Sequence, residues 1–133
     1  MFSRVCTGIA LLLGLAVMSN GVFMIITPEP WYWAIPGVPD RGPFNQHFIR
    51  DIGFIYLLMG AAFIYGAIYK HYQLPLWLLS TAWLICHAVF HIWEVIVGIC
   101  GPESLIEDFS GVTLPGLLGA MLVCNAYRCQ TGE

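Results

Sequence analysis

Leu74-Pro75-Leu76-Trp77-Leu78-Leu79-Ser80-Thr81-Ala82-Trp83-Leu84-Ile85-Cys86-His87-Ala88-Val89-Phe90-His91-Ile92-Trp93-Glu94-Val95-Ile96-Val97-Gly98-Ile99 is an apolar run interrupted by three ionisable side chains, His87, His91 and Glu94. A helix needs about 20 mainly apolar residues to cross the hydrocarbon core of a bilayer, and this run exceeds that length. Three further runs accompany it: Val5 to Ile26, in which Asn20 is the strongly polar residue, Ile52 to Tyr69, and Val112 to Tyr127. The last is the shortest, and Leu105, Ile106 and Phe109 extend it or lie at the interface.

Composition agrees with this reading. Of 133 residues, 59% are hydrophobic and 10% charged, where a soluble domain carries about a quarter charged. Mean hydropathy is +0.77. Five Lys+Arg and eight Asp+Glu are too few to clothe a soluble globule of this size. So apolar a chain is also not disordered, and a net charge of -3 offers no basic face for nucleic acid.

The expected architecture is an all-α, integral membrane four-helix bundle, a single domain with spans near 5–26, 48–69, 74–99 and 110–127. The first run is long for a signal peptide and has no A-x-A-like site near Ser19–Gly21, so it is expected to stay as a helix. Arg4, Lys70 and Arg128 fall on one side of the bundle, Arg41 and Arg50 on the other. The positive-inside rule then predicts that both termini are cytoplasmic, in a multi-pass protein of a cell inner membrane. The bilayer is the expected partner, with a homo-oligomer or a larger membrane complex as further candidates.

The outer loop over 27–46 holds Pro28, Pro30, Pro36, Pro39 and Pro43 and is expected to be irregular chain. Its Trp31, Tyr32 and Trp33 suit a membrane-interface belt, and the segment reads as an ordered cap. Gly14, Gly53, Gly60 and Gly116 are read as packing positions where helices approach closely. Five cysteines without a C-x-x-C argue against a dithiol centre, and on this topology Cys100 alone faces the oxidising side.

Ionisable residues are expensive inside a membrane and mark function by default. His87 and His91 are one helical turn apart and Glu94 continues their stripe, giving H-x-x-x-H-x-x-E. His47 and Asp51 form a second row at the start of the second long helix, behind Asn45 as N-cap and beside Arg50. Antiparallel helices put both rows at one depth near the outer face, so His47 and Asp51 are predicted to meet His91 and Glu94. Asn20 can bond to this cluster or to a neighbouring helix. Thr113 and Pro115 can line the same cavity.

Three readings of the cluster compete. It is a metal site with His87, His91 and Glu94 as ligands, completed by His47 or Asp51, a set that suits zinc, iron or copper. It is a structural network in which Arg50 neutralises Asp51 or Glu94. Or it holds a small polar head group or a quinone, with histidine as proton donor. A haem is disfavoured, because His87 and His91 share one face and cannot ligate opposite sides of it. In an enzyme, redox or hydrolytic, His47 or Asp51 would move protons and Arg50 would hold an anion or orient Asp51. Outside that class, the chain would be an accessory or scaffold subunit of a larger membrane complex.

The segment from Pro36-Gly37-Val38 through Gly42-Pro43-Phe44-Asn45 to His47-Phe48-Ile49-Arg50-Asp51-Ile52-Gly53, and less closely His87–Glu94, resembles small bacterial four-helix membrane proteins of unassigned function. The layout is similar to the broad DoxX-like class: an apolar first helix, a Pro-rich loop, Arg-x-x-Gly opening the second helix, then two more helices. The resemblance implies fold and topology, with no substrate.

Overall fold

The structure, a computed structural model, describes residues 2–132. All regular structure among them is helical. Four long helices, α1 (Phe2–Ile26), α3 (Gln46–Ile68), α4 (Gln73–Ile96) and α6 (Leu114–Thr131), are joined by segments that carry two short ones, α2 (Pro28–Ala34) and α5 (Ser104–Glu107). A 3-10 turn over Lys70–Tyr72 links α3 to α4, and a π turn over Phe109–Thr113 leads into α6. Four segments are long and apolar enough to cross a membrane: Arg4–Ile26, Gln46–Ile68, Lys70–Ile96 and Phe109–Thr131. Their outward faces are apolar, with Leu12, Leu58 and Leu79 each at least 70% exposed, as expected where lipid is the solvent.

The 27–45 segment differs from its expectation as irregular chain. Pro28 and Pro30 fall in the first turn of α2, where a missing N–H costs nothing, so a short helix forms over PEPWYWA. The remainder is ordered by Tyr32, whose buried hydroxyl donates to the carbonyls of Gly42 (2.8 Å) and Pro39 (3.3 Å). Phe44 packs edge-on against the same ring. Gly37, at φ +75, makes the turn that L side chains rarely adopt. Asn45 caps α3 as expected, accepting from the Phe48 N–H at 3.0 Å.

Helix α4 ends at Ile96, short of Ile99, where Gly98 turns at φ +78. The backbone N–H groups of Ile99 and Cys100 donate to the Glu94 carbonyl.

Packing is tightest between α1 and α3. Gly14 lies against Gly60 and Gly21 against Gly53. A Cβ on Gly60 would sit 2.6 Å from the Gly14 carbonyl oxygen, and one on Gly21 would sit 2.7 Å from that of Gly53. Glycine at these positions lets two helix backbones touch. Gly66 serves α4 in the same way, leaving room for Trp77, whose indole N–H donates to the Phe63 carbonyl at 3.0 Å. Phe63, Trp77, Leu84 and Leu122 are fully buried and form the centre of the core. Helix α6 packs chiefly on α4, through Gly116 and Gly119.

Candidate functional site

At the end of the bundle that carries α2 and α5, the long helices diverge around a cavity of about 750 Å³. Leu13, Val17 and Met24 of α1 and Ile49, Ile52 and Tyr56 of α3 supply apolar wall. Trp83, His87, Phe90 and His91 of α4 supply another. Arg41, Glu107 and Asp108 from the two connecting segments line the loop end. The volume is typical of small-molecule sites, as is the mixture of mostly apolar wall with a few converging polar groups.

Asp108 organises the polar groups. Its carboxylate accepts two bonds from the Arg41 guanidinium, Nη1 to Oδ1 at 3.0 Å and Nη2 to Oδ2 at 2.7 Å. Oδ2 also lies 2.7 Å from His91 Nδ1. Asp108 is 9% exposed at its side chain, Arg41 17% and His91 12%. Burial alone would raise the Asp108 carboxyl, but hydrogen bonds from Arg41 and His91 and the charge of both outweigh it, holding it below the usual carboxylate range. Arg41 is shifted upward: burial opposes its charge, and bonds to Asp108 and to the Cys100 thiol more than restore it.

An ionised carboxylate only accepts, so His91 Nδ1 carries a proton, and in the neutral ring Nε2 is the acceptor. One turn deeper, the His87 ring meets His91 edge-on, with centroids 4.5 Å apart. Trp83 stacks on the other side of His87 at 4.9 Å. Below them Tyr56 meets Trp83 edge-on and floors the cavity. Asn20 lines the α1 side and accepts from the Trp31 indole N–H at 2.9 Å, tying α2 to α1. Pro115 lines the cavity and Thr113 does not.

Of the residues singled out in the sequence, His87 and His91 come together here. His47 and Asp51 do not join them. They pair with each other at 3.2 Å on an open face, 89% and 59% exposed. The reason is angular. Ile49, Gly53, Tyr56 and Phe63 give α3 its buried face, and a position two residues from Ile49 points about 200° away from it. Arg50 neutralises neither Asp51 nor Glu94. Its Nε donates to the Ile25 carbonyl at 3.0 Å, satisfying the end of α1. Glu94 is half-buried and lies outside the cavity wall. Among the described residues, no three His, Cys, Asp or Glu side chains are grouped to hold a metal ion. The predicted meeting of two polar rows is thus replaced by one row and two loop residues, Arg41 and Asp108.

Comparison of the chain with protein-family models, with curated proteins and with solved structures gave no match.

Proposed function

We propose that this is a multi-pass membrane protein that binds a small, mainly apolar ligand in the α2/α5-end cavity and exchanges a proton with it through His91. The observation that carries this is the Asp108–His91 pair on the wall of a cavity of about 750 Å³. The carboxylate holds the Nδ1 proton, orients the ring and stabilises positive charge when Nε2 accepts a proton. His87 is a second imidazole on the same wall. Redox or hydrolytic chemistry would use this acid–base group.

Four apolar spans support a bilayer location. Arg4, Lys70 and Arg128 at one end support an inner-membrane orientation with cytoplasmic termini and an outward-facing cavity. The four-helix layout with a capping Pro-rich segment supports the likeness to the DoxX-like class.

The metal reading survives in a reduced form: His87 and His91 as two ligands to zinc, iron or copper, with the rest supplied from outside the chain. A structural reading has its own observation. Asp108 is fully engaged by Arg41 and His91, as in an accessory subunit whose ion pairs only join its loops.

Imidazole-nitrogen NMR of the protein in lipid nanodiscs distinguishes these. Benzyl alcohol is expected to move the ring signals of His87 and His91 saturably, while His71, exposed at the opposite end, stays fixed. Equal, unsaturable drift of all the histidines overturns the binding reading. A saturable response to zinc, iron or copper alone, with stoichiometric metal on elemental analysis, favours the metal form. Stable recovery with a larger complex, with both histidines silent to every addition, favours the structural one.

A further inference from the structure

Resting on the pocket reading above, we infer that the ligand is an uncharged, single-chain amphipath that enters sideways from the bilayer between the loop-end halves of α3 and α4. The two helices are held together in their other halves, where Trp77 bonds the Phe63 carbonyl and Gly66 seats the same indole. Their last ring contact is Tyr56 on Trp83, and both rings line the cavity floor. Past that point the cavity comes between them. The antiparallel register set by Phe63–Trp77 and Tyr56–Trp83 brings Phe48 level with His91. Phe48 and Phe90 both line the cavity, yet they are 62% and 51% exposed. A residue that is at once cavity wall and outer surface marks an opening. Asn45, Ser110 and Gly111, exposed lining residues of the connecting segments, open the cavity at the loop end as well, but Phe48 and Phe90, one from each helix, mark an opening on a face apolar enough for lipid.

The interior is zoned to suit such a molecule. Leu13 and Val17 lie toward the middle of the bundle, where an alkyl chain is at home. His91, Arg41 and Asp108 lie at the loop end, where a head group would sit. The buried charge there is already matched. Arg41 is held by both oxygens of Asp108, and Glu107 adds a second carboxylate to the same wall. One guanidinium against two carboxylates leaves nothing to neutralise an anionic head. His91 Nε2 asks instead for a hydroxyl-type donor. A cationic head would find Asp108 occupied and, in Glu107, only an exposed carboxylate.

The test uses the intact chain in phosphatidylcholine vesicles and a long-chain alcohol carrying an alkyl diazirine, with adducts mapped by mass spectrometry after illumination. Adducts are expected at Ile52, Tyr56 and Trp83 about tenfold above Leu12, Leu58 and Leu79, a preference of about 1.4 kcal/mol. Unlabelled dodecanol should suppress the cavity adducts. Dodecanoate and dodecylamine of the same length should do so several-fold less well. Uniform labelling of the lipid-facing surface overturns the lateral route, and stronger competition by either charged analogue overturns the uncharged head group. If benzyl alcohol shifts His87 and His91 while the lipid probe spares the cavity, the pocket stands and the bilayer source falls. If neither binds, both fall.

Discussion

Replacing Asp108 with asparagine should be the most damaging single change at the cavity. Asn keeps the shape and one acceptor oxygen but removes the charge that Arg41 and His91 share. Asp108 takes three hydrogen bonds, at 3.0, 2.7 and 2.7 Å. Bonds to charged groups contribute about 1.5–3 kcal/mol each, but these three share one carboxylate and do not add. Removing one partner of a buried pair costs about 3–5 kcal/mol, because the other charge is left uncompensated. With side-chain exposures of 9% and 17% the pair is mostly, though not wholly, dry. The expected loss is therefore at the low end, about 3 kcal/mol, or roughly a hundredfold in the folding equilibrium. Unfolding in mixed dodecylmaltoside–SDS micelles would measure it. Arg41→Leu combined with Asp108→Asn should be less harmful than the sum of the singles by about 1–3 kcal/mol, the range of residues in contact. A change below about 0.5 kcal/mol for Asp108→Asn, the level of an ordinary surface substitution, would refute the reasoning. So would strict additivity in the double variant.

Three other outcomes are expected. The Asp108 carboxyl is depressed on folding, so its stabilisation should be complete above the ordinary carboxylate pKa of about 4 and vanish as pH falls through the lower folded value. An acid titration of stability should show this loss in the wild type and not in Asp108→Asn. Gly60→Leu should prevent or loosen α1–α3 packing, because the Cβ alone would meet the Gly14 carbonyl at 2.6 Å, whereas Gly8→Ala, with nothing within 4 Å, should leave the unfolding midpoint unchanged. His47→Ala and Asp51→Ala should each change stability by less than about 0.5 kcal/mol, since an exposed i,i+4 pair contributes about that much or less; a large loss would mean that this row has a partner outside the chain.

The four long helices were legible because lipid-spanning helices announce themselves by length and apolarity, whatever they pack against. The His87–His91 pairing was legible for a related reason: residues four apart on one helix must share a face. Facing across helices was not. His47 and Asp51 have the spacing of a ligand pair, but only the positions of Gly53 and Tyr56, which seat α3 on α1 and α4, decide that they turn outward. In the sequence Arg41 bears only on topology, and nothing marks Asp108 as its partner. They are 67 positions apart, and no local pattern announces such a pairing. A weak signal did exist. Asp108 sits between Glu107 and the apolar Phe109 at a span end, and Arg41 sits between prolines in an ordered cap, so each is a charge in need of a partner. Trp83 stacks on His87, a neighbour one turn along its own helix.

The Arg41–Asp108 bridge also bears on how the protein is made. Its two ends belong to different halves of the chain, one leaving the ribosome with the α1–α3 hairpin and the other only after α4. The first hairpin has its own glycine-seated interface and can settle in the bilayer as soon as α3 is inserted. The cavity, by contrast, has no ceiling until the second hairpin arrives and Asp108 finds a guanidinium already waiting. The cavity is therefore walled only once both hairpins are in place. A chain arrested before Asp108 would be a stably inserted protein with an open, unlatched vestibule.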